Sequence, residues 1–282
     1  MSREELTNRK EISIFKRSIN LNIGIFLILM IMLPVLFPQF IATHNPTAVS
    51  FQDMLEAPSR EHFFGTDNYG RDIFSRVIWA TRIDMTIGIL ATIVPFITGS
   101  LLGLIAGYYG KWVDNILMRI LDIFMAFPFI VLVIAIVAIL GPGINNLYIA
   151  IWVVGWKYYA RLVRSEVLVI KNSEFIQAAK VLGYSDARIL FRHILPNVLS
   201  SSIVFAASDV VMCMITAASL SFLGLGVQPP TPEWGAIIAE GKGFISSAWW
   251  ITVFPGMFFV IAGTGVSLIG DGLSDILRTK GR

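Results

Sequence analysis

Six long apolar runs leave this chain of 282 residues few ways to fold. A helix needs about 20 mostly apolar residues to cross the hydrocarbon layer of a bilayer. Six segments reach that length: Ile19–Ala42, Met85–Tyr109, Ile116–Leu140, Leu147–Val169, Val198–Leu223 and Ile251–Ile269. Charged residues are only 15% of the chain and apolar ones 55%, whereas an average soluble domain carries about 25% charged residues. So little polar surface could not keep one or two domains in water, so membrane lipid is the expected surrounding. Continuous runs rather than short alternating strands exclude a closed barrel, and backbone groups in lipid must bond within the chain. The expectation is an all-α, polytopic membrane protein with six transmembrane helices.

The positions of Lys and Arg orient it. With the six spans threaded in turn, 17 basic residues fall on the side of the termini and residues 157–196, and 5 on the other. The side rich in Lys and Arg is cytoplasmic. The expected organisation is a cytoplasmic segment 1–18, a first span 19–42, an external segment 43–84, a five-helix core 85–270 containing a cytoplasmic loop 171–196, and a cytoplasmic tail 271–282. Arg60, Arg71, Arg76 and Arg82 fall on the outer side among Asp67, Asp72 and Asp84, which predicts a surface-lying segment leading into the second span. The first apolar run follows "NRKEISIFKR" but is longer than a signal-peptide core, and is read as a retained anchor. The lone Cys213 excludes an internal disulfide framework. No dense basic stripe with exposed aromatics is present, so nucleic acid is not an expected partner.

Within the second span Gly99, Gly103 and Gly107 recur every four residues, predicting a groove for close helix approach. Pro34, Pro38, Pro95, Pro128 and Pro255 are expected to kink or end helices. Between the fourth and fifth spans lies a polar island, "EFIQAAKVLGYSDARILFRHILPN". Ser173 is placed to cap a short helix ending at Leu182, with Glu174 in its first turn. Gly183 supplies a left-handed stop, and Ser185 caps a second helix that leads through Pro196 into the next span. Phe175, Ala179 and Leu182 are expected to share one face. Two functions fit such a unit: an amphipathic connector lying on the bilayer, or a helix that docks in a groove of a soluble partner.

"QAAKVLGYSDARILFRHILP" resembles the cytoplasmic EAA loop of permease subunits of binding-protein-dependent ABC importers, with Gln177, Ala178, Ala179, Gly183, Ile194, Leu195 and Pro196 in its pattern. Gln177 departs from it, since the family often has Glu there. "FGTDNYGRDIFSR", "AASLSFLGLGVQPPTPEWGAII" and "LIGDGLSDIL" are similar to the C-type permease of the dipeptide/oligopeptide/nickel group, and the resemblance covers nearly the whole chain from about residue 15. It implies the type I ABC importer permease fold. It further implies that Glu174, Gln177, Ala178, Ala179, Leu182, Gly183, Ile194 and Pro196 couple the chain to an ATPase, with residues 177–182 as the coupling helix. The implied partners are a homologous second permease subunit, two ATPase subunits and an extracytoplasmic substrate-binding protein. No cofactor is expected on this chain, since ATP and Mg belong to the ATPases. The implied cargo is a dipeptide or oligopeptide, with nickel, a metal chelate or glutathione as alternatives.

Asp209 lies near the middle of the fifth span, where a charge is costly and faces a partner or water. An interhelical hydrogen bond and a place on the translocation path both fit it. Trp156 is assigned to the same path or to an interfacial aromatic belt. Lys157, Arg161 and Arg164 share a face of the fourth span and fit a helix end emerging into the cytoplasm. Glu233 and Trp234, in a loop stiffened by prolines, are expected either to touch an external partner or to shape the pore mouth. An intramembrane enzyme is disfavoured because His44, His62 and His193 lie outside the spans and no phosphate-loop motif occurs. A secondary transporter would show inverted repeats and several mid-span charges. No repeat is evident, and Asp209 is the one clear mid-span charge.

Overall fold

The structure is a computed structural model describing residues 19–280, with side chains to 276. The N-terminal segment 1–18 and its expected cytoplasmic location lie outside the described residues. These are α1 (Ile19–Leu36), α2 (Pro38–Ile41), α3 (Ile73–Tyr109), α4 (Lys111–Met125), α5 (Phe129–Leu140), α6 (Ile144–Ile170), α7 (Glu174–Val181), α8 (Asp186–Arg188), α9 (Leu195–Phe222), α10 (Trp234–Gly241) and α11 (Trp250–Lys280). A π-helical stretch, Ile189–Ile194, joins α8 to α9 without a break. Among the described residues no strand forms, and one isolated bridge pairs Thr66 with Asp72.

Four stretches are long and apolar enough to cross a membrane: α1, α3, the continuous run from Asp186 to Phe222, and α11 as far as Ile276. The expected third span is not one helix. It breaks into α4 and α5, bent by 84°, and counts as a fifth span only if the pair crosses together. Pro128 sits at the break, where the missing N–H ends the hydrogen-bond ladder and the preceding residue is driven from helical geometry. Helix α6 spans 27 residues, about 40 Å at 1.5 Å per residue, but Lys157, Arg161, Arg164 and Glu166 interrupt its apolar character.

Those basic residues are not simply an emerging helix end. Lys157 is 1% exposed and donates to the Phe124 carbonyl at 2.7 Å, one of the carbonyls that the end of α4 frees. A cation suits that negative helix terminus. Arg161 meets Asp122 at 3.1 Å, and Arg164 makes a two-pronged bond to Asp114 at 2.5 and 2.6 Å. The partner number falls as the α6 number rises, so α4 runs antiparallel to α6 and is tied to it at Asp114, Asp122 and Phe124.

Helices α3 and α6 form the centre of the bundle through the predicted glycine groove. A Cβ on Gly103 would stand 3.0 Å from the Ala160 Cα, and one on Gly107 would be 2.8 Å from the Val167 Cβ. These glycines let two backbones touch, and their spacing serves packing.

Helix α3 starts twelve residues before the expected second span. Its 37 residues run about 55 Å, well beyond a hydrocarbon layer of about 30 Å, so its two ends organise two separate polar regions. At its start, charges of the expected surface-lying segment are buried. Asp67, Arg71, Asp72 and Arg76 are all at most 5% exposed. Asp67 accepts from the Tyr69 and Arg71 amides at 2.8 and 3.0 Å and from Arg71 Nε at 2.6 Å, and it is also bonded to Arg76 Nη1. Glu240 of α10 completes the cluster, with its Oε2 at 2.7 Å from both arginines. Two cations and two carboxylates thus neutralise each other inside the fold, which is the condition for burying charge.

Candidate functional site: a two-helix knob at the far end of the bundle

At the other end of α3 the polar island forms the expected pair of short helices. Ser173 stands at the start of α7 in extended geometry without capping by its side chain; its hydroxyl donates instead to the Ile170 carbonyl at 2.7 Å. Gly183 stops α7 with φ +74°, a conformation that β-carbons resist, and the Tyr184 amide closes back on the Ala179 carbonyl at 3.1 Å. Ser185 then caps α8, accepting from the Arg188 amide at 3.4 Å.

The inward face differs from the expected one by one residue. Ile176 and Ala179 are buried, while Phe175 and Leu182 point out. Ile176, Ala179, Ile189, Leu190 and Ile194 join Leu104 of α3, Val163 and Val167 of α6 and Val198 of α9 in a single core. The unit therefore does have a core, borrowed from three long helices. Polar contacts fix it further: Tyr108 donates to Asp186 at 2.6 Å, and Lys171 Nζ donates to the Gly107 carbonyl at 2.7 Å. The Arg188 guanidinium lies 4.0 Å from the Tyr184 ring centre, and that ring stacks on His193 at 5.8 Å.

Of the residues assigned to coupling, Glu174, Gln177, Ala178, Leu182, Gly183 and Pro196 are exposed, and Ala179 and Ile194 are buried. Val181, which the sequence did not single out, is 88% exposed beside Leu182 at 70%. The pair forms an apolar tip at the end of α7. No nucleophile or metal-ligand set gathers here among the described residues; a rigid knob keyed to α3, α6 and α9 can transmit displacement.

The remaining candidates separate. Asp209 is half-buried and accepts from the Tyr159 hydroxyl at 2.8 Å, an interhelical bond between α9 and α6. Trp156 is half-buried and stands edge-on to Phe124, with ring centres 5.8 Å apart. Glu233 and Trp234 are fully buried, which corrects their assignment as an external contact surface. The Glu233 carboxylate caps α10, accepting from the Gly235 and Ala236 amides at 3.0 and 2.7 Å. Trp234 donates its amide to Asp84 at 3.0 Å and its indole N–H to the Val77 carbonyl at 3.3 Å. Trp234 binds α10 to α3 while Glu233 caps α10, and neither side chain is free for a partner.

The profile of the family described as "binding-protein-dependent transport system inner membrane component" matches residues 99–280. The chain is 46% identical over 255 residues to the dipeptide transport system permease protein DppC of Alkalihalophilus pseudofirmus, covering 90% of this chain and 82% of the relative. It is 43% identical to the glutathione transport system permease protein GsiD of Pectobacterium atrosepticum, over 91% of this chain and 85% of the relative. The probable D,D-dipeptide transport system permease protein DdpC of Escherichia coli is 39% identical, over 90% and 85%. In fold, the chain is similar to a chain of the inward-facing MetNI methionine ABC transporter, with a TM-score of 0.58, 20% identity, and coverage of 73% of this chain and 97% of that one. A helical bundle with several apolar spans, a knob carrying the EAA-like pattern and a profile match over its C-terminal two thirds converge: the chain belongs to the binding-protein-dependent transport system inner membrane component family.

Proposed function

We propose that this chain is one of two homologous permease subunits of an ATP-driven importer of dipeptides or oligopeptides, delivered from outside by a binding protein. All six spans cross the bacterial cell membrane in this reading, with α6 and the bent α4–α5 pair among them, and both termini are cytoplasmic. The observation that carries it is the knob: a two-helix lever with an apolar tip, on a chain without a phosphate-loop motif. Two separate ATPase subunits supply the hydrolysis, one seated on the tip of α7. Two dipeptide-type relatives, at 46% and 39% identity, favour a peptide cargo. Glutathione, itself a tripeptide, is the second reading, favoured by the 43% identical relative.

Asp209 and Trp156 are proposed to line the path, with Asp209 meeting the peptide amino group. Uptake by vesicles carrying the permease pair, the ATPases and the binding protein tests this. Labelled dipeptide is expected to accumulate only with ATP inside the compartment holding the knob, and an excess of unlabelled glutathione is expected to leave that uptake unchanged. Asp209→Asn keeps the bond from Tyr159 and is expected to lower uptake of cationic peptides severalfold. Accumulation driven by an ion gradient without ATP would overturn the importer reading, and glutathione accumulation without peptide uptake would replace the cargo.

A further inference from the structure

At the end of the bundle opposite the knob, His44, His62 and Asp72 converge although 28 residues separate the first from the last. Each offers one ligand atom, and these atoms lie within 4.8 Å of one another. The His62 Nδ1 is 2.9 Å and the His44 Nδ1 3.8 Å from the same oxygen, Asp72 Oδ1. The two imidazole rings face each other with centres 4.8 Å apart.

The surrounding structure holds this arrangement in place. Asp72 caps α3: its other oxygen, Oδ2, accepts from the Ser75 amide at 2.7 Å, which orients the carboxylate and leaves Oδ1 for the histidines. The Ser75 hydroxyl accepts from the His44 amide at 2.9 Å, so one serine positions both residues. His62 sits in a turn in which its carbonyl accepts from the Ser59 amide at 2.8 Å and its amide donates to the Ser59 hydroxyl at 3.0 Å. The Asp72 and His62 side chains are 1% and 8% exposed, whereas that of His44 is 39% exposed. His44 lines an open cleft of about 590 Å³ with Asn45, Thr47, Trp79, Pro230 and Pro232. An ion therefore has an entry path on one side and fixed ligands on the other.

We propose that His44, His62 and Asp72 bind one divalent transition-metal ion of the zinc class, with its remaining position open to the cleft. Two imidazoles and one carboxylate suit zinc, nickel or copper, while calcium and magnesium prefer all-oxygen sites. Tetrahedral zinc with bonds of about 2.0–2.1 Å sets its ligands roughly 3.4 Å apart, so the widest separation closes by about 1.4 Å, shared between two side chains. Binding uses neutral rings. A proton on His62 Nδ1 moves to Nε2 or leaves to solvent as the metal–nitrogen bond forms, and the Thr43 hydroxyl, now 2.9 Å from His44 Nδ1, gives way. No electron is transferred. The ion clips the chain after α2 to the start of α3, adding a further tie to a loop already held by hydrogen bonds and packing.

The test is titration of the purified full chain in detergent, stripped with a chelator, against Zn²⁺ with a chromophoric chelator as competitor. One ion per chain is expected, undisturbed by excess Mg²⁺, with a rise in the unfolding temperature. His44→Ala, His62→Gln and Asp72→Ser, whose hydroxyl retains the helix cap, are each expected to weaken that binding at least ~10-fold and abolish the thermal shift. Co²⁺ in the unaltered chain is expected to give visible d–d absorption that the three variants lose. His44→Ala removes an exposed side chain, so its fold is checked by helical content and monodispersity. No stoichiometric binding, or binding that survives all three substitutions, overturns the proposal.

Discussion

Arg76→Ala is expected to destabilise this chain by about 3–5 kcal/mol, the penalty for removing one partner from a buried ion cluster. Arg76 is 1% exposed and Asp67 0%, so water cannot replace the lost guanidinium. Asp67 and Glu240 would then share Arg71 alone, leaving one buried negative charge in excess. The cluster ties the turn before α3 to α10, 164 residues away in sequence, so its loss should also loosen the packing of α10. Arg76→Lys keeps the charge but on a shorter side chain than the one whose Nη1 bonds both carboxylates, and is expected to lie between the two. Denaturant unfolding of the purified chain, followed by Trp fluorescence, checks the order Arg76, Lys, Ala. Equal stability for Arg76→Ala and the unaltered chain would show that the cluster is open to solvent.

Val181→Asp together with Leu182→Asp is expected to stop transport and leave the chain folded. The two side chains are 88% and 70% exposed and touch none of the core that seats α7, so the substitutions should change the chain's own stability by about 0.5 kcal/mol or less. Burial of two such apolar side chains in a partner's cleft contributes on the order of 3 kcal/mol, and its loss weakens docking roughly a hundredfold. ATPase subunits are therefore expected to be lost from the purified complex, with peptide uptake at background. By contrast, enlarging buried Ala179 would disturb the knob's own core and would not separate folding from docking.

The two short helices and their hinge were legible in the sequence because local chemistry decides them. Gly183 is required by a positive φ, and Ser185 lies where a helix needs an acceptor. The inward phase was missed by one residue: Phe175 and Ile176 are equally apolar, and only contacts with Leu104, Val163 and Val167 select Ile176. The groove of Gly99, Gly103 and Gly107 was likewise legible from its spacing. The bend at Pro128 was foreseeable from the proline, but its stabilisation by Lys157 was not, because the donor lies 33 residues along the chain. The buried cluster of Asp67, Arg71, Arg76 and Glu240 was misread for the same reason. Three charges in a hydrophilic stretch look solvated until a distant partner, Glu240, closes the set. Glu233 and Trp234 looked like an exposed loop, yet Glu233 turns inward to cap α10 and the Trp234 partners Asp84 and Val77 belong to the part of α3 beyond the expected span.

The most direct measurement is site-specific cross-linking at the tip of α7. Val181→Cys supplies an exposed thiol, and the native Cys213 is 2% exposed and need not be removed. In membranes holding the whole transporter, a short bifunctional reagent is expected to join residue 181 to an ATPase subunit, with a yield that changes between ATP-bound and nucleotide-free states. Labelling of that thiol by an impermeant reagent applied from outside the cell, or an intact complex in which it never joins an ATPase in any nucleotide state, would contradict the role assigned to the knob.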